Sequence, residues 1–387
     1  MAWKTVEIGS FLKEREDRFK PEEANTLDLK RIEKIDFHGK IHVIDHKPTK
    51  TNMILVKKGD LVISGINVEK GALAVYEEDK DALATIHYSS YEYDKNQVDI
   101  EYLKWFFKSR TFQNIVKVQA GGGIKTELKP KKFLPLKIKL PGLDEQIDIA
   151  NRINNVAAEI SELNNITDRN EKLLIQLRDK ILEEKLNNPS WKQIRLKKIL
   201  IGKPRNGYSS KGVKYSTNIK RLTLTATTSG KFKSQYFVYV DEEIPADSYL
   251  WLKPNDILIQ RSNSIDYVGI SAIYNGMPQK YIYPDLMMKI QCIDEVDVTF
   301  LHYTLLNKSV REYYRNESKG TSNSMKKINQ KIVENTPISL PSLAEQKRIV
   351  AKVDQLMHLC DELESRLNQS KKDSEMLMQA VLYEAFS

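Results

Sequence analysis

The stretch Leu140-Pro141-Gly142-Leu143-Asp144-Glu145-Gln146 returns 200 residues later as Leu340-Pro341-Ser342-Leu343-Ala344-Glu345-Gln346. Three further segments recur in the same order, at offsets that rise from 188 to 198: Trp3–Ile8 with Trp191–Leu196, Val56–Ile63 with Leu252–Ile259, and Val98–Leu103 with Val296–Leu301. Ordered matches of this kind indicate an internal repeat in which loop lengths differ while the frame is kept. The chain is therefore predicted to contain two copies of one module.

Each module is predicted to begin with a globular part, at 1–143 and at 188–343. Apolar runs that follow a Gly or Asn turn, such as Leu61–Ser64 and Ile257–Gln260, are typical of short strands. Tyr102–Phe107 and Phe300–Leu305 predict short amphipathic helices between them. Strands and helices mixed in this way favour an α+β globule with a small, strongly curved sheet.

Each module is predicted to end in a long helix, at 144–187 and at 344–387. Apolar or neutral residues alternate there at steps of four and three, which is the heptad pattern of a coiled coil. The first seam is Ile149, Ile153, Val156, Ile160, Leu163, Thr167, Asn170, Leu174, Leu177 and Ile181. The second seam is Ile349, Val353, Leu356, Cys360, Leu363, Leu367, Ser370, Ser374, Leu377 and Val381.

The repeat also predicts how the helices pair. The first helix leads into the second module, and the second helix leaves that module through the same junction, so the two helices should run antiparallel. At 1.5 Å per residue, about 40 residues span about 60 Å. Phe386 should then lie close to Met1. The predicted fold class is α+β: two similar α/β domains separated by a pair of long antiparallel coiled-coil helices, with a pseudo-two-fold internal repeat.

The composition narrows the class of protein. With 61 Lys and Arg against 52 Asp and Glu, the net charge of +9 is compatible with a nucleic-acid partner. Two cysteines, Cys292 and Cys360, are too few for a disulfide framework or a four-cysteine zinc site. No apolar run is long enough to span a membrane, and the N-terminal residues lack the apolar core of a signal peptide. We expect a soluble, cytoplasmic protein with no membrane partner.

Three patterns could carry metal or phosphate chemistry, and none predicts a site. His38, His42 and His46 recur every four residues, but the β-branched run around His42 favours a strand or loop, which separates His42 and His46 by about 13 Å. Asp285 with Glu317-Ser318-Lys319 resembles a nuclease pattern but lies outside a core strand. Gly121–Thr126 lacks the spacing of a phosphate-binding loop. We therefore predict no metal site, no catalytic residues and a binding function.

Three polar, basic loops of the second module are candidates for binding. They mix cations with Asn, Ser and Tyr, which suits contacts to phosphates and base edges, although each loop alone could be an ordinary solvated loop. The candidate DNA-binding residues there are Arg205, Asn206, Tyr208, Ser209, Lys211, Lys214, Arg261, Ser262, Asn263, Asn323, Lys326 and Lys327. The first module contributes Asn67, Gln119 and Lys125.

The residues of the two junctions resemble the specificity (S) subunit of a type I restriction–modification enzyme. The resemblance is carried by Leu340–Ile349 with its twin Leu140–Ile149, by Asp256–Asn263, and by the Gly320–Lys327 loop. It covers the whole chain and implies target-recognition domain 1 at 1–143, helical region 1 at 144–187, target-recognition domain 2 at 188–343 and helical region 2 at 344–387. The first recognition domain departs from the pattern, with Ser64-Gly65-Ile66-Asn67 where the second has Gln260–Asn263.

The resemblance implies a non-catalytic subunit that reads a bipartite target on double-stranded DNA. It also implies two modification subunits, which bind S-adenosylmethionine and methylate adenine, and restriction subunits, which use ATP and Mg²⁺. This chain itself would need no cofactor. Because a seam uses only two positions per heptad, Lys172, Arg178, Lys347 and Arg348 are predicted to be free for partner binding. The alternatives are a non-catalytic coiled-coil scaffold and a fragment of a fused type II restriction–modification enzyme.

Overall fold

A computed structural model describes residues 3–37, 39–119, 127–320, 322 and 324–387. The chain divides into two units, Met1–Asp168 with Asn368–Ser387, and Arg169–Leu367. Each unit therefore holds one module together with parts of both long helices.

The first unit contains strands β1 Lys4–Glu7, β2 Leu12–Glu14, β3 Arg18–Phe19, β4 Lys30–Ile35, β5 Ile41–Ile44, β6 Met53–Val56, β7 Leu61–Ser64, β8 Leu73–Val75, β9 Ala82–Thr85, β10 Tyr88–Tyr93 and β11 Lys137–Leu140. Its helices are α1 Pro21–Ala24, α2 Ile100–Lys108, α3 Arg110–Gln119, α4 Pro130–Phe133 and the first part of α5 Leu143–Leu186. The strands form a β1-β11 pair, a sheet in the order β2-β10-β7-β8, and a sheet in the order β3-β6-β9-β4-β5.

The second unit contains strands β12 Lys192–Arg195, β13 Arg205–Asn206, β14 Gly212–Val213, β15 Ile219–Leu222, β16 Phe237–Val240, β17 Ile257–Gln260, β18 Ser262–Asn263, β19 Ser271–Ile273, β20 Tyr281–Ile282, β21 Met287–Ile290, β22 Lys326–Lys327 and β23 Pro337–Leu340. Its helices are α6 Val298–Leu306, α7 Lys308–Glu317, α8 Gln330–Glu334 and the first part of α9 Leu343–Phe386. The strands form the pairs β12-β23 and β18-β22 and the sheets β13-β21-β17-β19 and β14-β16-β15-β20.

The internal repeat is confirmed at the level of hydrogen-bonded register. Lys4 lies opposite Leu140 in β1-β11, and Lys192 lies opposite Leu340 in β12-β23. The sheets β2-β10-β7-β8 and β13-β21-β17-β19 have the same order, while the outer sheets differ, with five strands in the first module and four in the second. One sheet thus keeps its strand order in both modules, whereas the other sheet has diverged.

The repeated glutamine of the junction has a structural role in both modules. Gln146 and Gln346 are buried, and their Oε1 atoms accept the backbone N–H of Asp99 and Asp297 at 2.9 Å. Each Nε2 donates to the carbonyl of the proline five residues earlier, at 2.9 and 3.0 Å. The two aspartates in turn cap the N-termini of α2 and α6 with their side chains. One amide therefore ties the start of the long helix to its own module.

Each module has a core that continues into the long helices. In the first, Phe107 and Phe112 from α2 and α3 join Ile153 of α5 and Phe386 of α9. In the second, Ile257 and Ile259 of β17 pack with Leu301 and Tyr314, and a separate cluster includes Phe300 and the helix residues. Buried aliphatic side chains on β7 and β17 hold these strands in place, so the loops that follow them start from a fixed base.

The helices pair antiparallel within each unit. In the first unit Lys371 Nζ lies 2.8 Å from Asp168 Oδ1, while Ile153 shares a cluster with Leu382 and Phe386. In the second unit Arg178 Nη2 donates to Asp361 Oδ1 at 2.7 Å. Rising numbers on α5 thus meet falling numbers on α9, as the topology predicts.

The predicted heptad seam is only half correct. Ile153, Ile160, Thr167, Leu174 and Ile181 are buried, at steps of seven residues. Of the alternate positions, Ile149 and Ile349 are buried, but Leu163, Leu177, Leu363 and Leu377 are 49%, 44%, 46% and 50% exposed. A pair of helices covers one narrow stripe on each, so the second position of each heptad needs another surface to bury it.

Candidate nucleic-acid interface

Two of the three candidate loops of the second module meet at one short connection, 283–286, between β20 and β21. The hydroxyl of Ser209 donates to the carboxylate of Asp285, and Arg261 Nη1 donates to the Asp285 carbonyl at 3.2 Å. The Arg261 N–H also donates to Leu286 O at 2.8 Å. The connection therefore joins segment 203–210 to the exit of β17.

The third loop joins the same place through a two-residue ladder. Ser262 pairs with Lys327 and Asn263 pairs with Lys326 in β18-β22, and Ile328 N–H donates to Arg261 O at 3.0 Å. Three segments that are distant in sequence thus lie side by side. Asn323 of this loop, and Lys125 of the first module, lie outside the described residues.

The basic candidates differ in whether their charged groups contact other protein groups. Arg205 is exposed, with its guanidinium carbon 5.0 Å from the centre of the Tyr249 ring, which is a cation–π arrangement. Lys211, Lys214 and Lys327 are exposed. Their charges can therefore reach a phosphate without the removal of other protein groups.

Several of the remaining candidates of this module already have side-chain hydrogen bonds within it. Lys326 Nζ donates to Gly320 O at 2.9 Å, and Tyr208 OH donates to Glu242 Oε1 at 3.5 Å. Asn263 Nδ2 donates to Gln260 Oε1 at 2.6 Å, and Ser262 is buried. Base readout by Asn263 would require its amide to leave Gln260.

Gln260 explains why the exit of β17 is rigid. This residue is fully buried, and its Nε2 lies 2.8 Å from Leu224 O, 2.9 Å from Thr227 Oγ1 and 3.1 Å from Thr228 Oγ1. Buried polar groups that are hydrogen-bonded on all sides hold one conformation. Arg261 therefore projects from a strand end that the protein has already ordered.

Sequence reasoning did not single out Arg221, and it considered Asp285 only in a nuclease pattern that it rejected. Arg221 Nη1 donates to Ser210 O at 2.6 Å, and burial lowers the pKa of its guanidinium, an effect that the carboxylates of Asp285 and Glu242 oppose. Within the described part of the chain, Arg221 Nε, Ser210 Oγ and Asn206 Oδ1 are buried polar atoms without a hydrogen-bond partner. The signal available in the sequence was the position of Arg221 at the end of the basic segment 203–221.

The first module carries the same backbone arrangement with different side chains. Gly65 N–H donates to His87 O at 3.0 Å, and Leu128 N–H donates to Gly65 O at 2.8 Å. These bonds correspond to those of Arg261 with Leu286 and Ile328, so Gly65 stands in the place of Arg261. His87 Nδ1 lies 3.1 Å from Glu127 Oε1 beside it.

The two described candidates of the first module have structural contacts. Asn67 precedes a single helical turn, and its carbonyl accepts the N–H of Lys70 and of Ala72. Gln119 ends α3, where its amide donates to Lys137 O at 3.0 Å and accepts Lys137 N–H at 2.8 Å. Gln119 thus ties α3 to β11, and its role towards DNA stays a prediction.

A buried aspartate supports the start of the strand in both modules. Asp60 accepts Arg15 Nε and Nη2 at 2.7 and 2.8 Å, together with Lys57 N–H and the Ser90 hydroxyl. Burial raises the pKa of Asp60, but these hydrogen bonds outweigh it and the net pKa is lowered. In the second module Asp256 Oδ2 lies 3.4 Å from Lys289 Nζ.

The patterns considered for metal chemistry do not form a site in the described residues. Among them, no group of three or more His, Cys, Asp or Glu side chains could hold a metal ion. His42 Nε2 lies 3.0 Å from Asp36 Oδ2, and His38 and segment 121–126 lie outside the described residues. In the same residues, no helix is both long and apolar enough to cross a membrane.

The prediction that the Arg178 side chain is free for partner binding is wrong. Arg178 is not free, because it bonds Asp361 at 2.7 Å and Glu364 at 2.9 Å and so braces the helix pair. Arg348 pairs with Glu345 at 2.7 Å but stays largely exposed, and Lys172 and Lys347 are exposed. The carboxylates on the facing helix hold the Arg178 side chain. The heptad pattern of one helix does not show which charges the other helix places opposite it.

Comparison with known proteins finds consistent similarities in sequence. Residues 190–370 match the family model described as type I restriction modification DNA specificity domain. The Type I restriction enzyme EcoKI specificity subunit of Escherichia coli (strain K12) is 23% identical over 299 residues, and the StySPI specificity subunit of Salmonella potsdam is 25% identical over 299 residues. Each alignment covers 74% of this chain and 64% of the relative, so the matched region spans less than two thirds of these relatives.

The fold is also similar to solved structures. A chain from a structural study of assembly and conformational transition of the type I R-M system is 18% identical, covers 100% of this chain and 97% of its own length, and has a TM-score of 0.76. The HsdS subunit from Thermoanaerobacter tengcongensis, also 18% identical, has a TM-score of 0.57 over 100% of this chain and 96% of that one. The chain is thus similar in sequence, over residues 190–370, to type I restriction modification DNA specificity domains and, over its whole length, similar in fold to these solved structures.

Proposed function

We propose that this chain is the DNA-binding specificity subunit of a type I restriction–modification complex and that each module reads one half of a bipartite target on double-stranded DNA. One observation carries the proposal: the same backbone arrangement after β7 and after β17 holds different side chains. A shared frame with variable tips is what two half-sites of different sequence require. The recognition domains would be 1–143 and 188–343, with helical regions at 144–187 and 344–387.

The chain would bind DNA without catalysing a reaction. S-adenosylmethionine, ATP and Mg²⁺ would be bound by two modification subunits and by restriction subunits, and this chain would supply specificity. Exposed Lys211, Lys214 and Lys327 support contact with phosphates, because a lysine at a duplex surface releases condensed counterions.

The helices are the proposed docking surface for the modification subunits. Leu163, Leu177, Leu363 and Leu377 lie on the open half of the heptad pattern, and Lys172 and Lys347 are exposed on the same helices. An apolar stripe with a polar rim is the usual composition of a protein interface. Replacement of these leucines by Gln should weaken co-purification with the modification subunit and leave DNA binding by the recognition domains intact.

Two measurements test the proposal against the alternatives. Co-expression with the modification subunit, followed by methylome sequencing, should give adenine methylation at one bipartite sequence. Random duplex DNA should bind more weakly as salt rises, since phosphate contacts dominate nonspecific affinity. A coiled-coil scaffold would bind no DNA at low or at high salt concentration. A fragment of a type II enzyme would methylate or cut DNA without partner subunits.

A further inference from the structure

The buried aspartates of the two modules have different cations as partners. Asp60 and Asp256 occupy equivalent positions of the internal repeat, since Val56–Ile63 returns as Leu252–Ile259. Arg15 holds Asp60, to which its Nε and Nη2 donate at 2.7 and 2.8 Å. Lys289 lies beside Asp256, with its Nζ 3.4 Å from Oδ2. Both cations are largely buried by these contacts, with side chains only 13% and 8% exposed.

The strand register shows which residue of the first module corresponds to Lys289. Ser90 lies opposite Val62 in β10-β7, and Lys289 lies opposite Leu258 in β21-β17. Val62 and Leu258 are equivalent positions of the repeat, and the two sheets have the same strand order. Ser90 is therefore the counterpart of Lys289, so the second module has a buried cation where the first has a hydroxyl.

An arginine adjoins each of these two residues on the other side of its strand. The Arg15 N–H donates to Ser90 O at 2.8 Å, at the end of β2-β10. Arg205 lies opposite Lys289 in β13-β21. Arg205 is therefore the counterpart of Arg15. The arginine at this position is bound to a buried carboxylate in the first module and is exposed in the second.

The buried lysine explains why Arg205 is exposed. The two carboxylate oxygens of Asp256 are occupied, because Oδ2 faces Lys289 Nζ and Oδ1 accepts Gln291 Nε2 at 2.6 Å. An arginine brought to the same carboxylate would meet the charge of Lys289, and like charges repel. The hydroxyl of Ser90 donates to the equivalent carboxylate at 2.8 Å without bringing a charge, so the first module uses its arginine there.

The surroundings of Arg205 leave its guanidinium ready for an anion. Among the described residues no carboxylate pairs with it, and its carbon lies 5.0 Å from the centre of the Tyr249 ring. The Tyr249 carbonyl accepts Lys289 Nζ at 2.6 Å, so the lysine also fixes the residue on which the guanidinium stacks. A stacked guanidinium keeps its N–H edge free for two parallel hydrogen bonds to a phosphate.

The position of Arg205 favours a phosphate over a base. Four residues separate it from Ser209, which bonds Asp285 at the meeting point of the candidate loops. Extended chain of that length spans about 13 Å. If the meeting point reaches the base edges, a cation set back from it by this distance lies beside the sugar–phosphate backbone, where contacts position the protein without reading sequence.

We propose that Arg205 binds a phosphate of the DNA backbone beside the second half-site, and that Lys289 is the positioning residue that frees it by taking its place at Asp256. The inference rests on the proposed DNA-binding function and adds a sequence-independent contact to it. The first module lacks this contact, because Arg15 stays bound to Asp60.

The experiment is a double-mutant cycle on the chain assembled with its modification subunits. Fluorescence anisotropy measures binding to the methylome-defined target and to a duplex without it, over a series of salt concentrations. Arg205→Ala should weaken both about tenfold, as expected for loss of a hydrogen bond between charged groups. It should also reduce the slope of log affinity against log salt by about 0.9, the contribution of one phosphate.

The lysine variant tests the exchange of partners. Lys289→Ser gives this position the side chain of its counterpart, so Arg205 should turn to Asp256 and both changes should appear without any substitution of Arg205. Addition of Arg205→Ala to Lys289→Ser should then have no further effect. The control variant is Lys253→Ser, which removes an exposed lysine that bonds Asp256 only through its backbone N–H, at 2.8 Å. In that background Arg205→Ala should keep its tenfold effect.

Four results would overturn the inference. They are an unchanged salt slope in Arg205→Ala, a loss of affinity for the target alone, which would assign Arg205 to a base, and additive effects of Arg205→Ala and Lys289→Ser. The fourth is loss of hydrogen-exchange protection of β21 in Lys289→Ser, which would show that Arg205 does not replace the lysine at Asp256. A complex that binds neither duplex contradicts the proposed function instead.

Discussion

The two modules share the buried polar residues that hold the backbone, which we call the supports. They differ in the side chains that directly follow β7 and β17, which we call the tips. Gln146 and Gln346 make the same bonds to the residue that caps a short helix and to the proline five residues before them. Asp60 and Asp256 are both buried at the start of the strand that precedes the tip. At the tip itself, Gly65 replaces Arg261. Residues that hydrogen-bond the backbone must meet the same geometry in both copies. Residues that face outward are constrained only by what each copy binds. The divergence after β7 and β17 therefore lies where we propose that the modules bind DNA.

The largest expected difference between the modules concerns the buried aspartates. Asp60→Asn leaves Arg15, which is largely buried, without its main countercharge and should destabilise the first module by about 3 kcal/mol, the lower end for a broken buried ion pair because Glu92 remains 3.0 Å away. Hydrogen exchange of β7 and β10 peptides measures the effect, with β17 and β21 peptides as the internal reference.

The matched control is Asp79→Asn, in an exposed pair with Lys58, which should leave stability almost unchanged because solvent screens the pair. Equal loss of protection in β17 and β21 would mean that the modules unfold together, and the comparison by module would fail.

The junction glutamines should behave alike. Gln146→Leu and Gln346→Leu each remove the acceptor for the backbone N–H of the residue whose side chain caps α2 or α6, and a buried group without its partner costs about 1–3 kcal/mol. Thermal unfolding followed by hydrogen exchange should show a similar loss in each module. A large effect in one copy and none in the other would contradict the equivalence of the supports.

At the tips, one variant should affect one half-site. Arg261→Ala should relax recognition at one base pair of the second half-site by about 1–3 kcal/mol and leave the first half-site unchanged. Lys214→Ala is the control, because loss of a phosphate contact weakens all sequences alike and lowers the salt dependence. Methylome sequencing that returns the original specificity for Arg261→Ala would remove this residue from the interface.

The smallest expected effect is a loss of stability of the first module in acid that depends on Asp60. The folded-state pKa of Asp60 is lowered, so its ionised form stabilises the module above the unfolded carboxyl pKa of about 3.9, and this stabilisation is lost as pH falls through the folded pKa. Hydrogen exchange of β7 between pH 5 and pH 3 should lose protection in the wild type and less in Asp60→Asn. The same slope in both proteins would show that other carboxylates dominate.

Much of the frame was predictable, because its causes are local or repeated. The junction at Pro141 and Pro341, the strands Leu61–Ser64 and Ile257–Gln260, and the short helices after Asp99 and Asp297 follow from turn residues, caps and periodicity. Repetition of each signal at a nearly constant offset removed the ambiguity that a single copy would have left. The antiparallel pairing of the helices followed from the order of the modules along the chain.

The tertiary structure alone decided which polar side chains are available. Arg178 looked free on its own helix, but Asp361 and Glu364 come from a helix almost two hundred residues away. Asp285 looked like a possible metal ligand, and the fold made it the meeting point of the candidate loops. Local sequence determines the backbone preferences and the apolar stripes of this protein, whereas charge pairing and loop convergence depend on residues that are adjacent only after folding.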